Sequence, residues 1–112
     1  MDYDRFEVVI VPFPFTDKAQ VKRRPALVLS SHRAFGKLAG HSVLAMITSA
    51  KNPPWPLDVP IADLSQAGLP APSVVRMKLF TLDHRFIIAS SGMLASKDRK
   101  AVTRALETLL DM

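Results

Sequence analysis

Four consecutive β-branched residues, Val8-Val9-Ile10-Val11, lie between Phe6 and the pair Pro12 and Pro14. A β-branched run without polar alternation predicts a strand buried on both faces, here over 6–13. Neither proline can donate to a ladder, so the strand stops there. A chain opening with such a strand must cover both sides of a sheet.

The rest of the chain supplies short pieces that could do so. Residues 16–24 are polar and basic and read as a surface loop. Pro25 sits where proline is tolerated, at the first position of a strand over 26–30. Residues 31–40 contain Gly36 and Gly40 and predict a turn with a short helical piece. A third strand is expected over 42–48. Asn52-Pro53-Pro54-Trp55-Pro56 cannot be a helix interior or a central strand, so it is a loop. A short strand over 57–61 follows, then a connection over 62–72 and a fifth strand over 73–79. Residues 82–86 suggest a helical turn and 86–90 a short strand, with Gly92 breaking the pattern.

The tail changes character. Ser96 or Asp98 can cap a helix in which Val102, Ala105, Leu106, Leu109 and Leu110 recur at helical spacing. Short strands and one terminal amphipathic helix predict a mainly β fold, a small barrel capped by the C-terminal helix. The 112 residues fit one domain, 1–112, without repeat or linker. Its modest core makes a partner subunit a plausible source of stability.

Several function classes fall away. There is no apolar stretch of about 18 residues or more, so no membrane helix is expected. Met1-Asp2-Tyr3-Asp4-Arg5 lacks the basic-then-apolar layout of a signal peptide, and a cytoplasmic protein is expected. The absence of cysteine removes disulfides, thiolate metal sites and cysteine nucleophiles. Three scattered histidines do not make a zinc site. The net charge of +5 favours a polyanion or an acidic protein as partner. The charge is clustered: Lys18, Lys22, Arg23 and Arg24 in one segment, Arg76 and Lys78 in another.

Within these segments each candidate residue has two readings. Arg24, at the mouth of a strand beside Pro25, either faces solvent or presents a planar fork of donors to a phosphate. Thr48 and Ser49 are good strand and turn residues, yet their hydroxyls could also bond phosphate or ribose oxygens. Arg76 and Lys78, two apart, share a strand face and must be solvated or face a ligand. Trp55 could stack on a base or form a lid over the barrel. His32, His41 and His84 fall in turns with no spacing that pairs them, and Asp58, Asp63 and Asp83 are isolated. No glycine-rich phosphate loop, nucleophile elbow or metal-ligand cluster occurs.

In order and spacing these segments resemble the MazF/PemK toxins of type II toxin–antitoxin systems. The residues that carry the resemblance begin with 8–17, Val-Val-Ile-Val-Pro-Phe-Pro-Phe-Thr-Asp, and 23–30, Arg-Arg-Pro-Ala-Leu-Val-Leu-Ser. Ala45-Met46-Ile47-Thr48-Ser49 follows, then Gly68-Leu69, Ser73-Val74-Val75-Arg76, Thr81-Leu82-Asp83 and Ser91-Gly92-Met93-Leu94. The resemblance implies an SH3-like barrel, a homodimer, inhibition by a small acidic antitoxin, and metal-independent cleavage of single-stranded RNA without a cofactor. It implies catalytic roles for Arg24, Thr48 and Arg76, and RNA contacts from Ser49. Lys18, Lys22, Arg23, Trp55, Ser73 and Lys78 complete the candidate RNA surface.

Three departures stand out. Phe6-Glu7 replaces the Gly-Asp or Gly-Glu that many members carry before the first strand. Lys78 stands where some members have an acid. The first loop has no histidine. The general base is therefore unassigned, and two alternatives stay open: a non-catalytic RNA-binding or regulatory member of this fold, or an SH3-like protein-interaction module.

Overall fold

The computed structural model describes residues 2–13 and 22–112. Among them six strands form one antiparallel sheet in the order β4-β5-β3-β2-β1-β6. The strands are β1 (Glu7–Phe13), β2 (Lys22–Val28), β3 (His41–Ser49), β4 (Val59–Pro60), β5 (Ser73–Asp83) and β6 (Ala89–Met93). The sheet curls into a half-barrel, and helix α3 (Ser96–Leu110) follows it, so the expected mainly β fold with a C-terminal helix is the observed one. No helix among the described residues is long and apolar enough to cross a membrane.

The opening β-branched run does what its composition demands. Val8 enters a core cluster with Leu27, Ala45, Ile47, Val75, Met77 and, from α3, Val102 and Ala105. Val9 and Val11 point the other way, into a second cluster with Tyr3, Ala26, Val28, Leu44, Leu82 and Ile87. Both faces of the sheet are thus buried over its middle.

Several element boundaries differ from expectation. β2 begins at Lys22, so Arg23, Arg24 and Pro25 lie inside a strand. Pro25 is tolerated because β2 pairs there with β1 only; pairing with β3 starts at Ala26. β5 runs to Asp83, carried by the long β3, with two extra residues bulged out between Arg76 and Leu79. A one-turn helix, α1 (Lys37–Ala39), lies in the 31–40 turn, and the 62–72 connection contains a second short helix, α2 (Leu64–Ala67), capped by Asp63, whose carboxylate accepts from Gln66 N.

Gly92 does not end a strand. It lies within β6, where a Cβ would run into the backbone of Gln66 and Ala67. The β1–β6 register skips Ser91, whose hydroxyl instead donates to the carbonyls of Ala67 and Gly68. The α3 cap is Ala95, without a side-chain bond. Asp98 is buried in the first turn, and its carboxylate accepts from Ala62 N and Asp63 N at 2.9 and 3.0 Å. Leu109 and Leu110 extend beyond the core and are exposed.

Candidate functional site

One end of the sheet gathers the basic residues. The β1–β2 register sets Lys22 opposite Phe13, Arg23 opposite Pro12 and Arg24 opposite Val11. β2 and β3 pair from Val28–Leu44 to Ala26–Met46. Continued two residues, that register places Arg24 across from Thr48. By alternation both share the face of Ala26 and Leu44. Arg76, paired with Met46, lies on this face too, one strand further on.

Arg24 is exposed and makes no side-chain hydrogen bond or ion pair with any described residue. Its planar donors are available to an incoming oxyanion. Thr48 is half-buried, and its Oγ1 accepts from Asn52 Nδ2 at 2.6 Å. That bond orients the hydroxyl and leaves its own proton to donate elsewhere.

Arg76 is neither solvated nor unpaired, which corrects the reading of Asp58 as isolated. Its Nε and Nη2 donate to Asp58 Oδ1 and Oδ2 at 3.1 and 3.0 Å, and Nη2 also donates to the Pro53 carbonyl at 2.9 Å. The side chains are only 11% and 16% exposed. The hydrogen bond from Arg76 holds the Asp58 carboxyl below its ordinary range, and the same bond raises Arg76. Charge at Arg76 is therefore locally balanced.

Asp58 also shapes the loop above. Its Oδ2 accepts from Trp55 N at 3.0 Å, and its own N–H donates to Trp55 O. Pro56 and Leu57 form the turn between them, Leu57 in the left-handed region at φ 65°. Trp55 is no lid over the core: it is 42% exposed and belongs to neither cluster. Lys78 Nζ lies 4.5 Å from its ring centroid and Arg76 Cζ 5.9 Å.

The remaining candidates are placed less favourably. Ser49 and Ser73 form a cross-strand pair whose alternation points away from Arg24 and Thr48. Ser49 Oγ accepts from Lys51 N, and Ser73 Oγ donates to Ala71 O. Lys22 and Arg23 are exposed along the strand that carries Arg24. Lys18 lies outside the described residues.

The histidines sit at the other end of the sheet, His41 about 23 Å along β3 from Thr48. Ser42 Oγ and His84 Nε2 are bonded at 2.7 Å, and burial lowers the His84 pKa. Among the described residues no three His, Cys, Asp or Glu side chains stand close enough to hold a metal ion.

Sequence reasoning missed Asn52 and Asp58. The signal for Asp58 is turn chemistry: an aspartate two residues beyond Pro56 can fold back on the preceding backbone. Asn52, four residues beyond Thr48, carries no comparable signal.

Residues 4–110 match the family described as PemK-like, MazF-like toxin of type II toxin–antitoxin system. No protein of curated function matches the sequence. The fold is similar to a chain in a MazE–MazF crystal structure from Deinococcus radiodurans (24% identity, 100% of this chain and 99% of that one, TM-score 0.78). It is also similar to an endoribonuclease in complex with its cognate antitoxin from a mycobacterial species (16% identity, 99% and 95%, TM-score 0.75). A third is the Mycobacterium tuberculosis toxin MazF-mt6 (23% identity, 95% and 97%, TM-score 0.71).

Proposed function

This chain belongs to the PemK-like, MazF-like toxins of type II toxin–antitoxin systems, and on that premise we propose that it is an endoribonuclease cleaving single-stranded RNA. The observation that supports the reading is the β2–β3 register, which pairs Ala26 with Met46 and, continued by two residues, sets Arg24 towards Thr48. One offers a guanidinium without a hydrogen bond or ion pair among the described residues, the other a hydroxyl oriented by Asn52.

The reaction is attack of a ribose 2′-oxygen on the adjacent phosphorus. The new P–O2′ bond closes a cyclic phosphate as the 2′-hydroxyl gives its proton to solvent, and the P–O5′ bond breaks, its oxygen taking a proton from solvent. Negative charge grows on the phosphoryl oxygens, where Arg24 supplies fixed positive charge and two parallel donors. The Thr48 hydroxyl donates to the same phosphate and holds it in line for attack. Arg76, neutralised by Asp58, positions the Trp55 loop rather than meeting the phosphate. Lys22, on the same face as Arg24, continues the positive surface for the flanking strand, while Arg23 points from the opposite face. Single-stranded RNA suits the site because its bases can splay outward.

The toxin's partners follow from its family. A small acidic antitoxin is the expected inhibitor, since the site's charge is what an acidic segment would neutralise, and a homodimer is the expected assembly. A single-chain mass by sedimentation at micromolar concentration would remove the dimer.

The test is cleavage of single-stranded RNA in chelator by the wild type beside Arg24→Ala and Thr48→Ala. Cleavage by the wild type alone is expected. Equal activity in all three proteins rejects the assignment. Salt-dependent binding without products selects the second reading, a non-catalytic RNA-binding member, which the Asp58–Arg76 pairing favours.

A further inference from the structure

Trp55 stands on a loop that is stiff for its length. Pro53, Pro54 and Pro56 restrict its backbone, and Asp58 ties both ends of the Trp55–Asp58 turn. Arg76 adds a bond to Pro53 O, so the loop is bound to β5 at two points. Two cations rise from β5 to the indole, Lys78 at 4.5 Å and Arg76 at 5.9 Å. Even so, 42% of the tryptophan remains exposed. A large apolar side chain is thus held in place at the surface, beside positive charge, with little ordering entropy left to lose. Nothing in the packing of either core cluster requires it.

Its position relative to Arg24 is set by the sheet. Arg24 and Arg76 lie two strands apart, offset by two residues, on one face. Strand spacing of about 4.8 Å and a rise of about 3.3 Å per residue separate their Cα atoms by about 12 Å. Asp58, which holds the Trp55 turn, precedes β4 on the flank of β5 away from Arg24, so the indole lies at or beyond that separation, a span that a few nucleotides of single strand can cover. Stacking on aromatic rings and neutralisation of the next phosphate are how single strands are gripped without reading their sequence.

We propose that Trp55 and Lys78 form a subsite for a nucleotide flanking the phosphate held by Arg24. The indole stacks on its base, and the Lys78 ammonium meets its outer phosphate. Asp58 and Arg76 are positioning residues that fix the platform. This rests on the reading of Arg24 as the scissile-phosphate contact. It gives Lys78 a role that an acid at that position could not fill.

Trp55 is the only tryptophan in the chain, so its emission reports on the subsite alone. The probe is a short, labelled, single-stranded 2′-deoxy oligonucleotide, which lacks the nucleophile and cannot be cleaved. Titration should quench the emission saturably, in step with anisotropy of the label. Trp55→Phe, which keeps a smaller ring, should bind between wild type and Trp55→Ala. Trp55→Ala should bind about tenfold more weakly. Lys78→Ala should flatten the dependence of log affinity on log salt by about 0.7. Probes carrying an abasic nucleotide at successive positions should include one on which wild type and Trp55→Ala bind equally. A merely structural role for Trp55 would weaken every probe alike and overturn the proposal. Binding with unchanged emission would overturn it too, while leaving the cleavage test of Arg24 intact. Quenching together with undiminished cleavage by Arg24→Ala would support the subsite and remove Arg24 from the reaction.

Discussion

Phe6 sets a bulky side chain on a backbone angle that glycine favours, in the left-handed region at φ 71°. The residue before β1 must turn there, because Phe6 N donates to Val28 O while Phe6 O accepts from Leu94 N. The ring then packs against the inner core, with Arg5 and Arg99 guanidinium carbons 4.9 and 5.6 Å from its centroid. Two effects oppose each other, strain and packing. Phe6→Ala loses the ring and keeps the strain; Phe6→Gly loses both. The glycine variant should therefore be the more stable of the two by about 1 kcal/mol, the reverse of their usual order. Urea unfolding of the pair checks this, and an alanine variant of equal or greater stability would refute it. Asp58 gives a residue-scale prediction in pH. Its folded pKa lies below the ordinary 3.8, chiefly through the Arg76 hydrogen bond, so its contribution to stability is complete above 3.8 and is lost as pH falls through the lowered value. Trp55 emission in the wild type should hold steady down to about pH 4 and shift below it. Asp58→Asn should lack that step and show altered emission already at neutral pH. An identical acid step in both proteins would sever Trp55 from Asp58. Neither effect was legible in the sequence. The departure at Phe6 was visible but not its consequence. The Asp58–Arg76 pair joins residues 18 apart and depends on a turn and a register that only the fold supplies.

At the scale of elements, the sequence was clearest where hydrophobic pattern and turn chemistry agreed. The β-branched run of β1 and the helical repeat of α3 both gave the right element. The Ser31–Gly40 turn held the expected helical piece, Ser31 capping Ala34 N and Gly40 closing it in the left-handed region. It was least clear at β2, where Lys22-Arg23-Arg24 has no apolar alternation to betray a strand. Ahead of Ala26 that strand is paired with β1 only, and Lys22, Arg23 and Arg24 stay exposed. β6 lies three residues later than the pattern predicts, because Gly92, a strand breaker by type, is held inside it. Its actual work is close approach, since α2 sits directly on β6. Replacing Gly92 with alanine should force the Gln66–Ala67 backbone away and cost about 1–3 kcal/mol. Because the clash is with backbone, it cannot be relieved by a rotamer change. The loss should appear as faster amide exchange in β6 and α2 before any change in β3 or β5. Uniform acceleration across the sheet would argue against α2 and β6 opening as a unit.

For the whole molecule, the antiparallel order has an electrostatic consequence. β1 and β3 end, and β2 and β5 begin, at the same edge of the half-barrel. Lys22, Arg23, Arg24, Arg76 and Lys78, far apart in sequence, therefore converge, and the nearby Asp58 is already paired with Arg76. The opposite end mixes Asp2, Asp4, Glu7 and Asp83 with Arg5, Arg33, Lys37 and Arg85. The net charge of +5 was plain from composition, but its concentration at one end was not, because it follows from strand order. If that end is what meets RNA, salt should distinguish the two ends. On single strands, each phosphate neutralised contributes about 0.7 to the slope of log affinity against log salt. Lys22→Ala and Lys78→Ala should each flatten the slope by about that amount and leave the position of cleavage unchanged. Arg33→Ala removes the same charge from the far end and should leave the slope as it is. Anisotropy of a labelled single strand over a salt series measures all three. Equal flattening by Arg33→Ala would mean that total charge, rather than its placement beside Arg24 and Thr48, governs binding, and the basic edge would then lose its claim to be the RNA surface.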